Sequence, residues 1–143
     1  MEKIFLDTDV ILDLLSKRQP FYENSYKLFS LIDRNKIKAY TSPVIFANIH
    51  YILSKQLSKQ IALQNLIKLR KFVNIVPINE EVIDLSLKSN FTDYEDSIQY
   101  YAALLSEISI LITRNIKDYK NAKIAVSTPE EYLKMRLAQG KSV

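Results

Sequence analysis

The chain has 143 residues, enough for one domain with a buried core, and its 48% hydrophobic and 25% charged residues are typical of a globular protein. Its single glycine excludes the glycine-rich phosphate loops of dinucleotide-binding proteins and P-loop NTPases. The lack of cysteine excludes thiol catalysis and thiolate zinc sites, and the one histidine, His50, leaves little for imidazole chemistry. Chemistry must therefore come from carboxylates, amides, hydroxyls and amines.

The net charge of +4 conceals an uneven distribution along the chain. Residues 34–79 hold eight basic side chains and no acidic one, a charge of +8, whereas the rest holds 12 basic and 16 acidic residues, a charge of −4. No segment approaches the roughly 20 apolar residues of a membrane span. Because the first residues also lack a signal-peptide layout, we expect a cytoplasmic protein with no membrane partner.

Short apolar runs alternate with amphipathic stretches, a pattern that predicts an α/β fold with a mostly parallel sheet. The first strand is predicted at Lys3 to Leu6. Thr8 or Asp9 is expected to cap the helix that follows, and a second helix is expected to begin near Pro20. The remaining strands are predicted at Ile37 to Thr41, Val73 to Val76, Ile108 to Thr113 and Ile124 to Val126.

Capping residues and prolines mark the starts of the later helices. These helices are predicted to begin at Ser42-Pro43, to run from about Ser58 to Lys71, to begin at Asn79, to run from about Asp93 to Glu107, and to begin at Thr128-Pro129. No linker or repeat interrupts the pattern. We therefore expect one domain over residues 1–137, followed by a flexible tail at 138–143.

Acidic residues follow the predicted strands at the edge of the sheet where parallel sheets bind ligands. Converging carboxylates without a basic partner repel one another unless a hard cation neutralises them, and Mg²⁺ or Mn²⁺ prefers such oxygen ligands. The acids concerned are Asp7 and Asp9 after the first strand, Asp93, Glu95 and Asp96 at the start of the helix before the strand at 108–113, and Asp118 after that strand.

Each of these acids also has a structural explanation. Asp9 can serve as a helix cap, and Asp93 or Glu95 can be a favourable charge at a helix start. Asp7 is harder to explain in this way because it directly ends an apolar strand, where an unpaired charge is costly. Asp13, further along the first helix, is expected to be structural or to face solvent.

The chain resembles the PIN-domain family in four ordered segments that cover nearly its whole length, namely LDTDVILDLL, SPVIFANIHYIL, FTDYEDSIQYYAAL, and ILITRNIKDY followed by VSTPEEYL. The resemblance implies a three-layer α/β sandwich around a mostly parallel sheet. It also implies Mg²⁺- or Mn²⁺-dependent ribonuclease activity on RNA. Bacterial members of this size are often toxins of type II toxin-antitoxin pairs, so the resemblance further implies an antitoxin partner and a homodimer.

The resemblance assigns metal-binding roles to Asp7, Asp96 and Asp118. Where the family usually has a glutamate in the middle helix and an acid after the strand at 108–113, this chain has Asn48 and Asn115, which we include among the catalytic candidates. An asparagine carbonyl still binds a hard cation, but each replacement removes one negative charge. The two amides therefore decide how strongly the site binds metal.

Auxiliary roles fall to residues beside these positions. Glu95 or Asp93 is able to supply a carboxylate near Asp96 in place of a missing acid. Further auxiliary candidates, for holding water or substrate, are Asp9, Thr8, Thr113 and Arg114, of which the last two also fit an ordinary strand end.

A nuclease must hold a polyanion beside its acidic centre. The candidates for that contact are Lys55, Lys59, Lys68, Arg70, Lys71 and Lys117, although each also fits a solvent-facing helix position.

Two other functions remain open from the sequence. The segment Asp7-Thr8-Asp9-Val10 resembles the DxD nucleophile motif of haloacid dehalogenase-type phosphatases, in which the first aspartate attacks phosphorus. Against that function, the later segment ILITRNIKDY lacks the acidic pair expected of the class. Alternatively, the amides Asn48 and Asn115 are consistent with a PIN-like domain that binds RNA or a protein partner without cleaving it.

Overall fold

The computed structural model describes residues 1–120 and 122–143, in which a central parallel sheet is flanked by helices. A short 3₁₀ turn at Ile116–Tyr119 lies between the last two strands. In chain order the elements are β1 (Lys3–Leu6), α1 (Thr8–Leu15), α2 (Tyr22–Asp33), β2 (Lys38–Thr41), α3 (Pro43–Gln56), α4 (Lys59–Arg70), β3 (Val73–Ile75), α5 (Glu80–Leu87), α6 (Tyr94–Leu105), β4 (Ile110–Ile112), β5 (Ala125–Ser127) and α7 (Pro129–Ala138).

The five strands lie in the order β3-β2-β1-β4-β5, and every neighbouring pair is parallel. The chain moves outward from β1 through β2 to β3 and then crosses to the other side of β1. Because such crossovers are right-handed, α1 to α4 cover one face, and α5 and α6 cover the other. Contacts of α2 with α1 and α7, and of α5 with α6, agree with these layers. The predicted three-layer sandwich is confirmed.

The central strand β1 is buried on both faces, which explains its unbroken apolar sequence. Ile4, Phe5 and Leu6 are fully buried at its centre. The helix that follows is capped by Asp7, whose side chain accepts a hydrogen bond from the Thr8 backbone N–H, so the expected cap at Thr8 or Asp9 is wrong. The reason is that the extended backbone already ends at Asp7, and the helix begins one residue later.

The predicted strand at 108–113 is shortened at both ends to β4. Glu107 adopts a left-handed backbone with φ 59°, and the Ile108 N–H donates to the Ala103 carbonyl, so these residues close the end of α6. Thr113 lies just beyond β4, although its N–H still donates to the Ser127 carbonyl. The strand therefore ends just short of the polar residues of the sheet edge.

The end of the chain continues the last helix slightly beyond the predicted domain boundary. Helix α7 extends to Ala138, and the Arg136 Nε donates to the Ser142 carbonyl at 3.0 Å. Within residues 1–120 and 122–143, no helix combines the length and the apolar character needed to cross a bilayer.

Ser42 and Ser58 cap α3 and α4, and only the first has a second buried partner. The Ser42 Oγ accepts the Ile45 N–H and donates to the Gln99 Oε1 at 2.6 Å, whereas the Ser58 Oγ accepts only the Ile61 N–H. We expect Ser42→Ala to lower the free energy of unfolding by about 2 kcal/mol and Ser58→Ala by about 1 kcal/mol, because only the former leaves a buried amide oxygen unsatisfied. Urea denaturation measures both values, and equal losses would contradict this account.

Candidate functional site

The carboxyl ends of β1 and β4 form the point where the crossovers change direction, and open parallel sheets bind ligands at such points. Leu6 pairs with Ile112, so Asp7 and Thr113 emerge side by side. A cleft of about 450 Å³ opens next to them. It is lined by Asp7, Thr8, Asp9, Leu12, Arg18, Asn48, Tyr51, Ile52, Glu95, Asp96 and Asn115.

Asp7 is the most deeply buried acid of the cleft, with 8% of its surface exposed. Its Oδ1 accepts the Thr8 N–H at 2.8 Å, and its Oδ2 accepts the Thr113 hydroxyl at 2.9 Å. Burial raises the pKa of this carboxyl above its ordinary value, against the opposing effect of these hydrogen bonds. Since no ion pair compensates the charge of Asp7 among the described residues, its ionised form is costly.

Tyr119 is a site residue that the sequence reasoning missed. Its hydroxyl lies 3.2 Å from the Asp7 Oδ2 and 3.3 Å from the Asp96 Oδ1, so it joins the two acids predicted to bind metal. Burial, followed by the charges of Asp7 and Asp96, raises the pKa of Tyr119 far above its usual range, so the group remains a protonated phenol. The signal in the sequence is weak because Tyr119 is one of nine tyrosines.

Asp96 opens α6 beside Asp7, as predicted, and Asp93 caps that helix by accepting the Asp96 N–H at 3.1 Å. Burial, then the charges of Asp7, Asp93 and Asp118, raises the pKa of Asp96 to about 7. Asp118 itself is exposed on the 3₁₀ turn and does not line the cleft. The structure therefore brings Asp7 and Asp96 together and leaves Asp118 at the edge.

Asp9 faces the cleft from the first turn of α1. Its Oδ2 accepts hydrogen bonds from the Thr113 hydroxyl, the Arg114 N–H and the Asn115 Nδ2. Its Oδ1 is buried and has no hydrogen-bond partner in the described part of the chain. Burial, then the charge of Asp7, raises the pKa of Asp9 to about 6. A buried carboxylate oxygen without a donor is a ready partner for a cation.

The two asparagines among the catalytic candidates, Asn48 and Asn115, both donate to carboxylates. The Asn48 Nδ2 lies 2.5 Å from the Glu95 Oε1, and the Asn115 Nδ2 lies 3.2 Å from the Asp9 Oδ2. Burial, then the charge of Asp93, raises the pKa of Glu95. Acids at these positions would repel Glu95 and Asp9, whereas the amides bind them. The carbonyl oxygen of each amide makes no hydrogen bond to another described residue.

The Arg114 guanidinium is paired with a side chain of the fold and does not line the cleft. Its guanidinium makes two hydrogen bonds to Asp13, at 2.7 and 3.2 Å, and lies 3.9 Å from the centroid of the Phe21 ring. Asp13 is fully buried, so the alternative in which it faces solvent is wrong. The position of Asp13 on α1 turns it inward, beneath the end of β4.

The predicted basic residues lie outside the cleft. Of the described residues that line the cleft, only Arg18 is basic. The Arg70 Nη1 donates to the Val73 carbonyl at 3.0 Å, which gives that side chain a role at the end of α4. The other predicted contacts, Lys55, Lys59, Lys68, Lys71 and Lys117, are all exposed.

The donor set of the cleft fits Mg²⁺ or Mn²⁺. Nowhere in residues 1–120 and 122–143 do three acidic or imidazole side chains converge closely enough to form a complete ion site. Mg²⁺ does not need one, because it is commonly held by one or two carboxylates with water and substrate oxygens completing its shell. Asp7, Asp96 and the unpartnered oxygen of Asp9 supply ligands of this kind.

Crowding of these acids makes stability depend on pH. In EDTA, we expect the free energy of unfolding to fall by about 1–3 kcal/mol between pH 4 and pH 8. The folded-state pKa values of Asp9 (about 6) and Asp96 (about 7) exceed the ordinary 3.8, so the native state binds more protons in this range and loses stability as they leave. Urea denaturation across this range measures the slope. A flat or rising profile, or an unchanged slope in Asp96→Asn, would contradict the account.

The ion pair of Arg114 and Asp13 gives a prediction for stability. We expect Arg114→Ala to lower the free energy of unfolding by about 3–5 kcal/mol, because it leaves the buried Asp13 carboxylate without a counterion. Chemical denaturation measures the loss. Lys117→Ala, at an exposed position on the adjoining 3₁₀ turn, is the matched control and should change it by less than about 0.5 kcal/mol. Similar values for the two variants would show that the pair is not structural.

Comparison with known proteins agrees with the fold. The chain is 29% identical over 136 residues to Ribonuclease VapC1 of Aquifex aeolicus (strain VF5), covering 92% of this chain and 93% of that protein. Its fold is similar to FitAcB from Neisseria gonorrhoeae, with a TM-score of 0.72, 19% identity, and coverage of 89% of this chain and 98% of that chain. It is also similar to a toxin-antitoxin complex from Klebsiella pneumoniae, with a TM-score of 0.66, 22% identity, and coverage of 88% and 97%. The PIN domain family model matches residues 3–117, and the chain belongs to this family.

Proposed function

We propose that this PIN domain is a Mg²⁺- or Mn²⁺-dependent endoribonuclease that hydrolyses RNA phosphodiester bonds. The observation that carries the proposal is the pair of carboxylates, Asp7 and Asp96, joined through the Tyr119 hydroxyl at the end of β1 and not neutralised by any described basic residue. Such a pair suits a hard cation better than any other partner. The relative named Ribonuclease VapC1, which this chain matches over most of its length, supports the same activity.

In this proposal Asp7 and Asp96 hold the cation. The free oxygen of Asp9 and the carbonyl oxygens of Asn48 and Asn115 are further donors at the same cleft. When bound, the cation supplies polarisation of the phosphate and activation of a water molecule. Exposed Asp118 contributes by its charge, which already acts on Asp96.

The neighbouring side chains keep the acids in place. The one hydrogen of the Thr113 hydroxyl is shared between the Asp7 Oδ2, at 2.9 Å, and the Asp9 Oδ2, at 3.3 Å, and the Thr8 N–H donates to the Asp7 Oδ1. Hydrogen bonds that orient a ligand side chain typically contribute about 10- to 100-fold to the affinity or activity of a metal site. The roles expected for Thr8 and Thr113 are therefore to orient the acids, rather than to contact RNA.

The second candidate is a PIN domain that binds RNA or a protein partner without cleavage, and the amides at 48 and 115 favour it. Against it, Glu95 brings a carboxylate from α6 to the position where α3 lacks one, at 2.5 Å from Asn48. The negative charge removed by Asn48 is thus restored nearby, and we favour catalysis. Membership of the PIN family leaves the phosphatase alternative without support.

The proposal extends to a role in the cell. We propose that the chain is the toxin of a type II toxin-antitoxin pair, that it forms a homodimer, and that it acts on RNA in the cytoplasm. A toxin-antitoxin complex among the proteins of similar fold supports the pairing with an antitoxin. Several large apolar side chains of the described residues are also exposed, among them Leu57, Leu63 and Ile67, and a protein partner would cover them.

The activity test compares the wild type with Asp96→Asn. We expect the purified wild type to cleave RNA in the presence of Mg²⁺ or Mn²⁺, and we expect EDTA to abolish this cleavage. Asp96→Asn should cut at least about 100-fold more slowly while remaining folded, because an amide replaces one of the two central carboxylates without adding bulk. Cleavage of a labelled RNA and circular dichroism measure the two properties.

The matched control is Asp84→Asn, which changes an exposed aspartate on α5 outside the cleft and should keep full activity. If the wild type and Asp96→Asn show the same residual cleavage at high Mn²⁺, the nuclease proposal is contradicted and the domain that binds without cleavage is favoured.

A further inference from the structure

An exposed aromatic side chain stands on the α3 side of the cleft. Tyr51 lies one turn beyond Asn48, lines the cleft and leaves 62% of its surface exposed. The Lys55 Nζ, one turn further along α3, lies 5.1 Å from the centroid of the Tyr51 ring. This cation-π contact favours one orientation of the ring. Leu12 and Ile52 provide an apolar wall beside it.

Arg18 supplies the positive charge on the same cleft. It follows α1, is half-buried, and makes no side-chain hydrogen bond or ion pair with any other described residue. Arg114 and Arg70, in contrast, both direct their guanidinium groups to partners within the fold. A guanidinium with unused donors beside four carboxylates is suited to a phosphate, which it binds through paired N–H groups.

We propose that Tyr51, Arg18 and Lys55 form a subsite for one unpaired nucleotide of single-stranded RNA beside the carboxylate pair. The inference rests on the proposed nuclease function and names residues that would hold its substrate beside the carboxylates. The unpaired base stacks on the Tyr51 ring, and Arg18 and Lys55 bind the flanking phosphates. Every base has a face that stacks on an aromatic ring, and each such contact is worth about tenfold or more in affinity.

Two features favour an unpaired strand over a duplex. The bases of a duplex already stack on one another, so an exposed tyrosine gains nothing from them, whereas a loop or single strand presents a free base. The acids of the cleft also repel a polyanion, so a phosphate can approach only where Arg18 and Lys55 offset that charge. Arg18 lines the same cleft as Tyr51, and Lys55 lies beside the Tyr51 ring.

The test measures RNA binding by fluorescence anisotropy in the Asp96→Asn background with Mg²⁺, using a labelled single strand and the same strand annealed to its complement. We expect Tyr51→Leu to weaken binding of the single strand about tenfold, and Tyr51→Phe, which keeps the ring, to change it less than about twofold. Arg18→Gln should also weaken it about tenfold and reduce the dependence of log K on log salt by about 0.7. Duplex binding should be weaker and indifferent to Tyr51.

Tyr26→Leu is the matched control, because Tyr26 is 56% exposed on α2 and does not line the cleft. The proposal is overturned if Tyr51→Leu binds the single strand as tightly as Tyr26→Leu, or if it loses duplex binding to the same extent.

A second readout separates this inference from the nuclease function. In the otherwise wild-type chain, Tyr51→Leu should raise KM for the single strand and leave the Mn²⁺ affinity from calorimetry unchanged. A loss of Mn²⁺ affinity in that variant would place Tyr51 in the metal site and overturn the subsite. If Asp96→Asn instead retains cleavage, the nuclease function fails while the anisotropy assay still decides the subsite.

Discussion

The buried carboxylate of Asp7 is the constraint around which the site is arranged. It ends the central strand of the sheet at the point where the chain changes direction, and the Thr113 hydroxyl from the adjoining strand end holds it in place. A charge at such a depth is costly without a counterion. The side chains nearby therefore either donate a hydrogen bond to it or, like Asp96, share the need for a cation.

Two amide side chains in the cleft limit the electrostatic cost of crowding carboxylates around Asp7. Asn48 and Asn115 each donate to a carboxylate, Glu95 and Asp9 respectively, so the cleft keeps its oxygen ligands with less repulsion. From the sequence, the two amides indicated a weakened site. The sequence also offered Glu95 or Asp93 as a compensating acid, and the hydrogen bond from Asn48 on α3 to Glu95 on α6 supports our proposal that Glu95 has this role. The tyrosine hydroxyl between Asp7 and Asp96 belongs to the same arrangement.

Much of the fold and part of the site were predictable because they depend on local rules. Apolar runs located the strands, Ser42 and Thr128 marked helix starts, and the strand-end rule placed Asp7 near Asp96. The direction of side chains over long distances was not predictable. Tyr119 reaches the acids because the 3₁₀ turn at Ile116–Tyr119 packs against α6. Tyr119 also lies two residues beyond the end of the family match at residue 117.

The pairing of Arg114 with Asp13 and the position of Arg18 depend in the same way on how α1 packs beside β4. In the sequence, Arg114 follows a strand end and is as plausible a substrate contact as Arg18, which carries no motif. Only the packed structure shows that one guanidinium is engaged and that the other faces the cleft. The charge pattern of the sequence pointed to residues 34–79, whereas Arg18, the only basic residue among the described residues that line the cleft, lies outside that segment.

The central claim is that these crowded acids form a binding site for a divalent cation. Calorimetric titration of the wild type with Mn²⁺ at pH 6, in two buffers of different ionisation enthalpy, tests it most directly. Because the pKa values of Asp9 and Asp96 are raised to about 6 and about 7, we expect one-site binding that releases protons, seen as a heat that differs between the buffers. The absence of Mn²⁺ binding, or binding without proton release, would contradict the account.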